Sequence, residues 1–103
     1  MGLFTPDVSS LNTPAECKEK ADELLNTAEE LQHNKNQRGW SRKRRQNNEE
    51  IAHLASRVAR KSKALPKGDK DKIAFNKVGK MLEDQVVAIG KIKEAVKEYI
   101  PWL

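Results

Sequence analysis

The residues from Arg38 to Arg45 read Arg-Gly-Trp-Ser-Arg-Lys-Arg-Arg, which places five cationic side chains and one tryptophan in eight positions. Guanidinium and ammonium groups at that density suit a row of phosphates, because neutralising phosphates releases condensed counterions and so supplies sequence-independent affinity. Arg38, Arg42, Lys43, Arg44 and Arg45 therefore form the first part of a candidate polyanion-binding set. Arg57, Arg60, Lys61 and Lys63 join it from further along the chain, and Trp40 can either stack on an unpaired base or pack inward. The partner this points to is nucleic acid, recognised through its phosphate backbone and shape and not through a base code. A helix-turn-helix is not expected, since the linker before Gln46-Asn47-Asn48 is too long and irregular for that motif. An acidic protein surface is the alternative partner, met by a helical adaptor or a self-associating structural protein. Arg-Lys-Arg-Arg also resembles a nuclear-import signal.

Other chemistry lacks its residues. His33 and His53 are far apart and Cys17 is the only thiol, so no zinc spacing exists and no metal is expected. Asp69-Lys70-Asp71 has the start of a calcium loop, but Ile73 and Asn76 stand where further ligands belong and no glycine follows at the sixth place. Gly79-Lys80 and Gly90-Lys91 hold the glycine-lysine pair of a phosphate loop without the earlier glycine or the following Ser or Thr. No Ser/His/Asp or Cys/His arrangement is present, so the chain is read as non-enzymatic and without a cofactor.

The charge layout sharpens the polyanion reading. Residues 1–31 carry two cations against seven acids, residues 32–72 carry thirteen against four, and residues 73–103 carry five against four. A net charge of +5 is thus concentrated in the middle third, where it attracts polyanions or an acidic protein. One cysteine cannot form an intramolecular disulfide, and there is neither a signal-peptide pattern nor an apolar run long enough to span a bilayer. A myristoylation pattern fails at Pro6. The expectation is an intracellular protein without membrane insertion, cytoplasmic or, in a eukaryote, nuclear. Its size and charge suit a viral, phage or mobile-element accessory factor.

Three helices must position these residues. A chain of 103 residues is one domain with little apolar content to spare, 37% against 34% charged. No segment alternates apolar and polar residues over a strand's length, which predicts an all-α fold. Residues 1–12 are read as an N-terminal arm and 13–103 as a single helical domain. Thr13-Pro14-Ala15-Glu16 has the form of a capping box with proline at the first helical position. Cys17, Ala21, Leu24, Leu25, Ala28 and Leu31 then give the apolar stripe of a first helix over 14–33.

The basic inter-helix segment, 34–47, leads to a second helix with two candidate starts. Asn47 with Glu50 resembles another capping box and would begin the helix at about 48; otherwise it begins near 41, and either version ends at 65. The longer version sets Arg42, Lys43 and Arg45 five whole turns before Arg60, Lys61 and Lys63. Against it, four cations crowd the positive end of the helix dipole and Arg44 falls on the apolar arc. The expectation is a segment that is helical when bound and frayed when free.

Leu65-Pro66-Lys67-Gly68-Asp69 reads as a turn. A third helix over 70–99 has a wide apolar face and is expected to be the spine of the core. Gly79 and Gly90, eleven residues apart, fall on one shoulder of that face and suit close approach of another helix. The whole is read as an antiparallel three-helix bundle with a long C-terminal helix. The apolar surface left over on that helix and the tail Ile100-Pro101-Trp102-Leu103 suit a homodimer.

Overall fold

A computed structural model describes residues 8–89, with side chains described as far as Glu83 and at Gln85. Among these residues the fold is all-helical, without strands. A short 3-10 turn, Val8–Ser10, is followed by α1 (Pro14–His33), α2 (Trp40–Lys63) and α3 (Lys70–Ile89). The helices form a bundle in which α2 packs on α1, on α3 and on the 3-10 turn.

Helix α1 begins as its sequence predicts. Thr13 caps it, its Oγ1 accepting from the Glu16 backbone N–H at 3.2 Å, while Glu16 Oε1 accepts from the Thr13 and Asn12 backbone N–H groups at 3.0 and 3.1 Å. Its predicted stripe is inside: Cys17, Ala21, Leu24, Ala28 and Leu31 are buried, and Leu25 packs at the edge. Lys20 is buried as well, a position that a hydrophobic pattern does not reveal. Its ammonium lies 3.3 Å from a Glu23 carboxylate oxygen and 3.6 Å from one of Glu50, so the buried stem ends in charges of opposite sign at the surface.

Helix α2 takes the longer of its two candidate spans. Asn47 is not an N-cap. It is buried within the helix, and its Nδ2 donates to the Leu24 carbonyl of α1 at 3.1 Å. The start lies at Trp40, after Gly39 in the left-handed region at φ 74, and no side chain caps it. The segment expected to fray is thus the first two turns of a 24-residue helix. Ile51, Leu54, Ala55, Val58 and Ser62 are buried along one side of the helix, joined by Ala52 and Ala59. This makes α2 the spine of the described core, in place of α3.

After α2, Gly68 (φ 89) makes the predicted turn and Asp69 Oδ1 accepts from the Asp71 N–H at 2.7 Å, starting α3. Phe75, Val78 and Leu82 fill the α3 side of the core. Ser62 donates to Asn76 Oδ1 at 2.6 Å and Lys72 to the Ser62 carbonyl at 2.7 Å, tying α2 to α3 near the turn. The described α3 has 20 residues, as many as α1 and fewer than α2, so a long C-terminal helix is not what the described residues show. The continuation to Tyr99, Gly90 and the tail 100–103 lie outside the described residues. No described helix is long and apolar enough to cross a membrane.

Of the stretch read as an arm, Val8 and Leu11 are part of the core, 0% and 2% exposed. The capping box directly follows this segment, and three bonds to one carboxylate oxygen hold Glu16 below the ordinary carboxylate value of 4.5. The backbone N–H groups of Asn12 and Thr13 contribute most, then the Thr13 hydroxyl. A depressed folded value means that this contribution to stability is complete above about 4.5 and is lost as pH falls through the lower, folded value. Glu16→Ala should therefore lower the thermal midpoint at pH 7, and the gap to the unmodified protein should close as the pH is taken down past the carboxylate range. Thr13→Ala, which removes the reciprocal cap, should cost about 1 kcal/mol at neutral pH.

Candidate nucleic-acid interface

The ten residues singled out by sequence fall into four settings once α2 is continuous. Arg38 lies in the exposed loop 34–39, where turns run from Asn34 to Gln37 and from Gln37 to Trp40. Arg42, Arg45, Arg60 and Lys63 share the solvent face of α2. At 100° per residue they fall within an arc of about 60°, opposite the buried line through Trp40, Ile51 and Val58. All four are exposed. Arg42 and Arg45 lie about 27 Å from Arg60 and Lys63 along the helix, at 1.5 Å per residue. Between the two pairs the same face carries Glu49, His53 and Ser56, so the charge is two clusters and not an unbroken stripe.

Arg57, Lys61 and Lys43 flank that face and have structural partners. Arg57 Nε donates to the Leu11 carbonyl at 2.7 Å and its Nη2 to Asn12 Oδ1 at 3.1 Å. Lys61 Nζ donates to the same Asn12 oxygen at 3.2 Å, and Lys43 Nζ to Gln37 Oε1 at 3.2 Å. Arg57 and Lys61 thus staple the segment that carries Val8 and Leu11 onto α2. Their side chains give no sign of this in the sequence, because the acceptors lie more than forty positions away. Beneath them Cys17 is fully buried, and burial pushes its thiol up; the Arg57 charge opposes this, Glu16 adds to it and Lys61 opposes it. It stays a thiol at neutral pH.

Trp40 and Arg44 form the fourth setting. Trp40 is half-buried and its Nε1 donates to the Leu31 carbonyl at 2.7 Å, laying the ring across the end of α1. The Arg44 guanidinium sits over that ring at 5.6 Å from its centre, a cation–π arrangement. This resolves the placement of Arg44 on the apolar arc: it lies at the margin, over an aromatic face, and is exposed.

Two hydrogen bonds to α1 carbonyls, from Trp40 and Asn47, therefore fix the first two turns of α2 and with them Arg42 and Arg45. The outcome is a pair of arginines carried on an anchored stretch of backbone near the uncapped positive end of a helix. Among the described residues, no three His, Cys, Asp or Glu side chains come together to hold a metal ion. The chain matches no protein-family model, and no curated protein or solved structure is significantly similar to it.

Arg57→Ala should separate the structural cations from the exposed ones. It removes a charged donor from the Leu11 carbonyl and from Asn12, so urea unfolding should show a loss of about 1.5–3 kcal/mol. Arg45→Ala, on the solvent face, should change stability by no more than about 0.5 kcal/mol. Unchanged stability in Arg57→Ala would return that residue to the exposed set.

Proposed function

We propose that this chain is a small, non-enzymatic nucleic-acid-binding protein that grips the phosphate backbone with the outer face of α2. The observation that carries the reading is the alignment of Arg42, Arg45, Arg60 and Lys63 on one face of a single 24-residue helix. A rigid rod with a cationic pair at each end can meet two stretches of backbone about 27 Å apart without ordering a loop first. A polyanion there would also relieve the mutual repulsion of Arg42 and Arg45, one turn apart on that face. Recognition is by phosphate spacing and shape, since the face carries no run of amide side chains to read base edges.

The helices are proposed to run antiparallel. Between α1 and α2, Leu31 meets Trp40, Leu24 meets Asn47 and Lys20 meets Glu50, so contacts descend one helix as they climb the next. That order supports an up-down arrangement. An acidic protein partner remains the second reading of the same face, and poly-glutamate serves as its probe.

Binding to duplex DNA should weaken steeply with salt. For about six phosphates, log K against log salt should have a slope near −5. The double variant Arg42→Ala/Arg45→Ala should reduce that slope by about 2. Its stability should stay level or rise by a few tenths of a kcal/mol, because two cations leave the positive end of the helix dipole. Affinity and stability would then move in opposite directions. No binding to duplex or single strands at low salt would overturn the nucleic-acid reading, and tighter binding to poly-glutamate than to DNA would favour the adaptor.

A further inference from the structure

We infer that the cleft beside Trp40, where the three helices meet, is a site for an unpaired nucleobase. This inference rests on the phosphate-binding reading above and adds a base-binding element to it.

The cleft has a volume of about 440 Å³. Leu31 of α1 contributes an apolar floor and Trp40 of α2 an aromatic wall. The amides of Asn48 on α2 and Gln85 on α3 line it, together with the cations Lys35 and Arg44. A simple anion would need only the cations, and an apolar ligand only the floor and the ring. A nucleotide uses all three kinds of group. Its base has a π-face to stack on the ring and an edge of donors and acceptors for carboxamides, and its phosphate suits the cations.

The ring is already set for this. The Trp40 Nε1 bond to the Leu31 carbonyl fixes its orientation, so little ordering is left for the binding step. The Arg44 guanidinium lies over the ring, 5.6 Å from its centre, so this face of the indole is turned to the cations and not into the core. A base stacking there would displace Arg44 towards its own phosphate. Arg45, about 60° around α2 from Asn48 at 100° per residue, would hold a neighbouring phosphate.

A paired base cannot enter, because its edge is engaged and its faces are stacked within the duplex. The site therefore selects bulged, frayed or single-stranded positions, a preference that the outer face of α2 alone would not create.

The test compares two DNA duplexes of equal length at one salt concentration, one fully paired and one with a single unpaired adenine in the middle. Each is titrated against the full chain by fluorescence anisotropy. The bulged duplex should bind about five- to tenfold tighter, the lower range for stacking one base on an aromatic side chain. Trp40→Leu should abolish the difference. Because that change also removes the anchor to Leu31, Asn48→Leu is the second variant: it leaves the anchor in place, puts an apolar group where the base edge would sit, and should erase the preference while leaving affinity for the paired duplex unchanged.

Equal affinity of the unmodified protein for the two duplexes would overturn the base site and leave the phosphate reading standing. A preference that survives in Asn48→Leu would also overturn it, assigning the effect to DNA shape. Binding of neither duplex would overturn both readings.

Discussion

Two side chains of α2 donate to backbone carbonyls of α1, and the arrangement of the cations depends on them. Helix α2 opens under unfavourable conditions: Gly39 offers no side-chain cap, and four consecutive cations occupy its first turns, where the helix dipole already presents positive charge. Each exposed cation there costs about 0.3–1 kcal/mol. The bonds from Trp40 Nε1 to Leu31 and from the buried Asn47 Nδ2 to Leu24 oppose that cost, each at about 0.5–1.5 kcal/mol, together with the burial of part of the indole. Electrostatic cost and tertiary gain are of similar size, which places the start of α2 under the control of packing and not of local propensity.

Once α2 is continuous, the basic third of the chain separates into groups with different work. Arg57 and Lys61 hold the N-terminal segment over the core, and Lys43 reaches back to the preceding loop. Arg44 covers an indole. Arg42, Arg45, Arg60 and Lys63 share the solvent face, and it is their common helix, not the total charge, that would hold them in line for a polyanion. The same anchor that steadies this face also orients the wall of the adjoining cleft, so the two parts of the proposed interface have one structural origin.

Much of the architecture was legible in the residues. The span of α1 follows from a capping box and a stripe whose signals are local, and the turn at Pro66 to Asp69 from residue types with fixed backbone preferences. The start of α2 was not, because Asn47-Asn48-Glu49-Glu50 satisfies the local grammar of a helix start while its actual partner is 23 positions away. The same limit applies to Lys20, buried between carboxylates of two helices, and to the Arg57 and Lys61 staple. In each case a polar side chain looks solvent-facing until the fold brings an acceptor to it. In the candidate site, the cluster at 38–45 and its phase with Arg60 and Lys63 could be read from spacing. The cleft could not, since Gln85 and Lys35 join Trp40 only through the packing of three helices.

Backbone Cα chemical shifts of residues 41–47, measured by NMR on the chain without nucleic acid, test most directly whether the cations are carried on a preformed helix. Helical shifts beginning within the first turn after Trp40 and continuing without a break through Asn47 are the predicted result. Random-coil shifts through Gln46, with helix starting only at about Asn48, would contradict the anchored, rigid α2 on which this account of the interface is built.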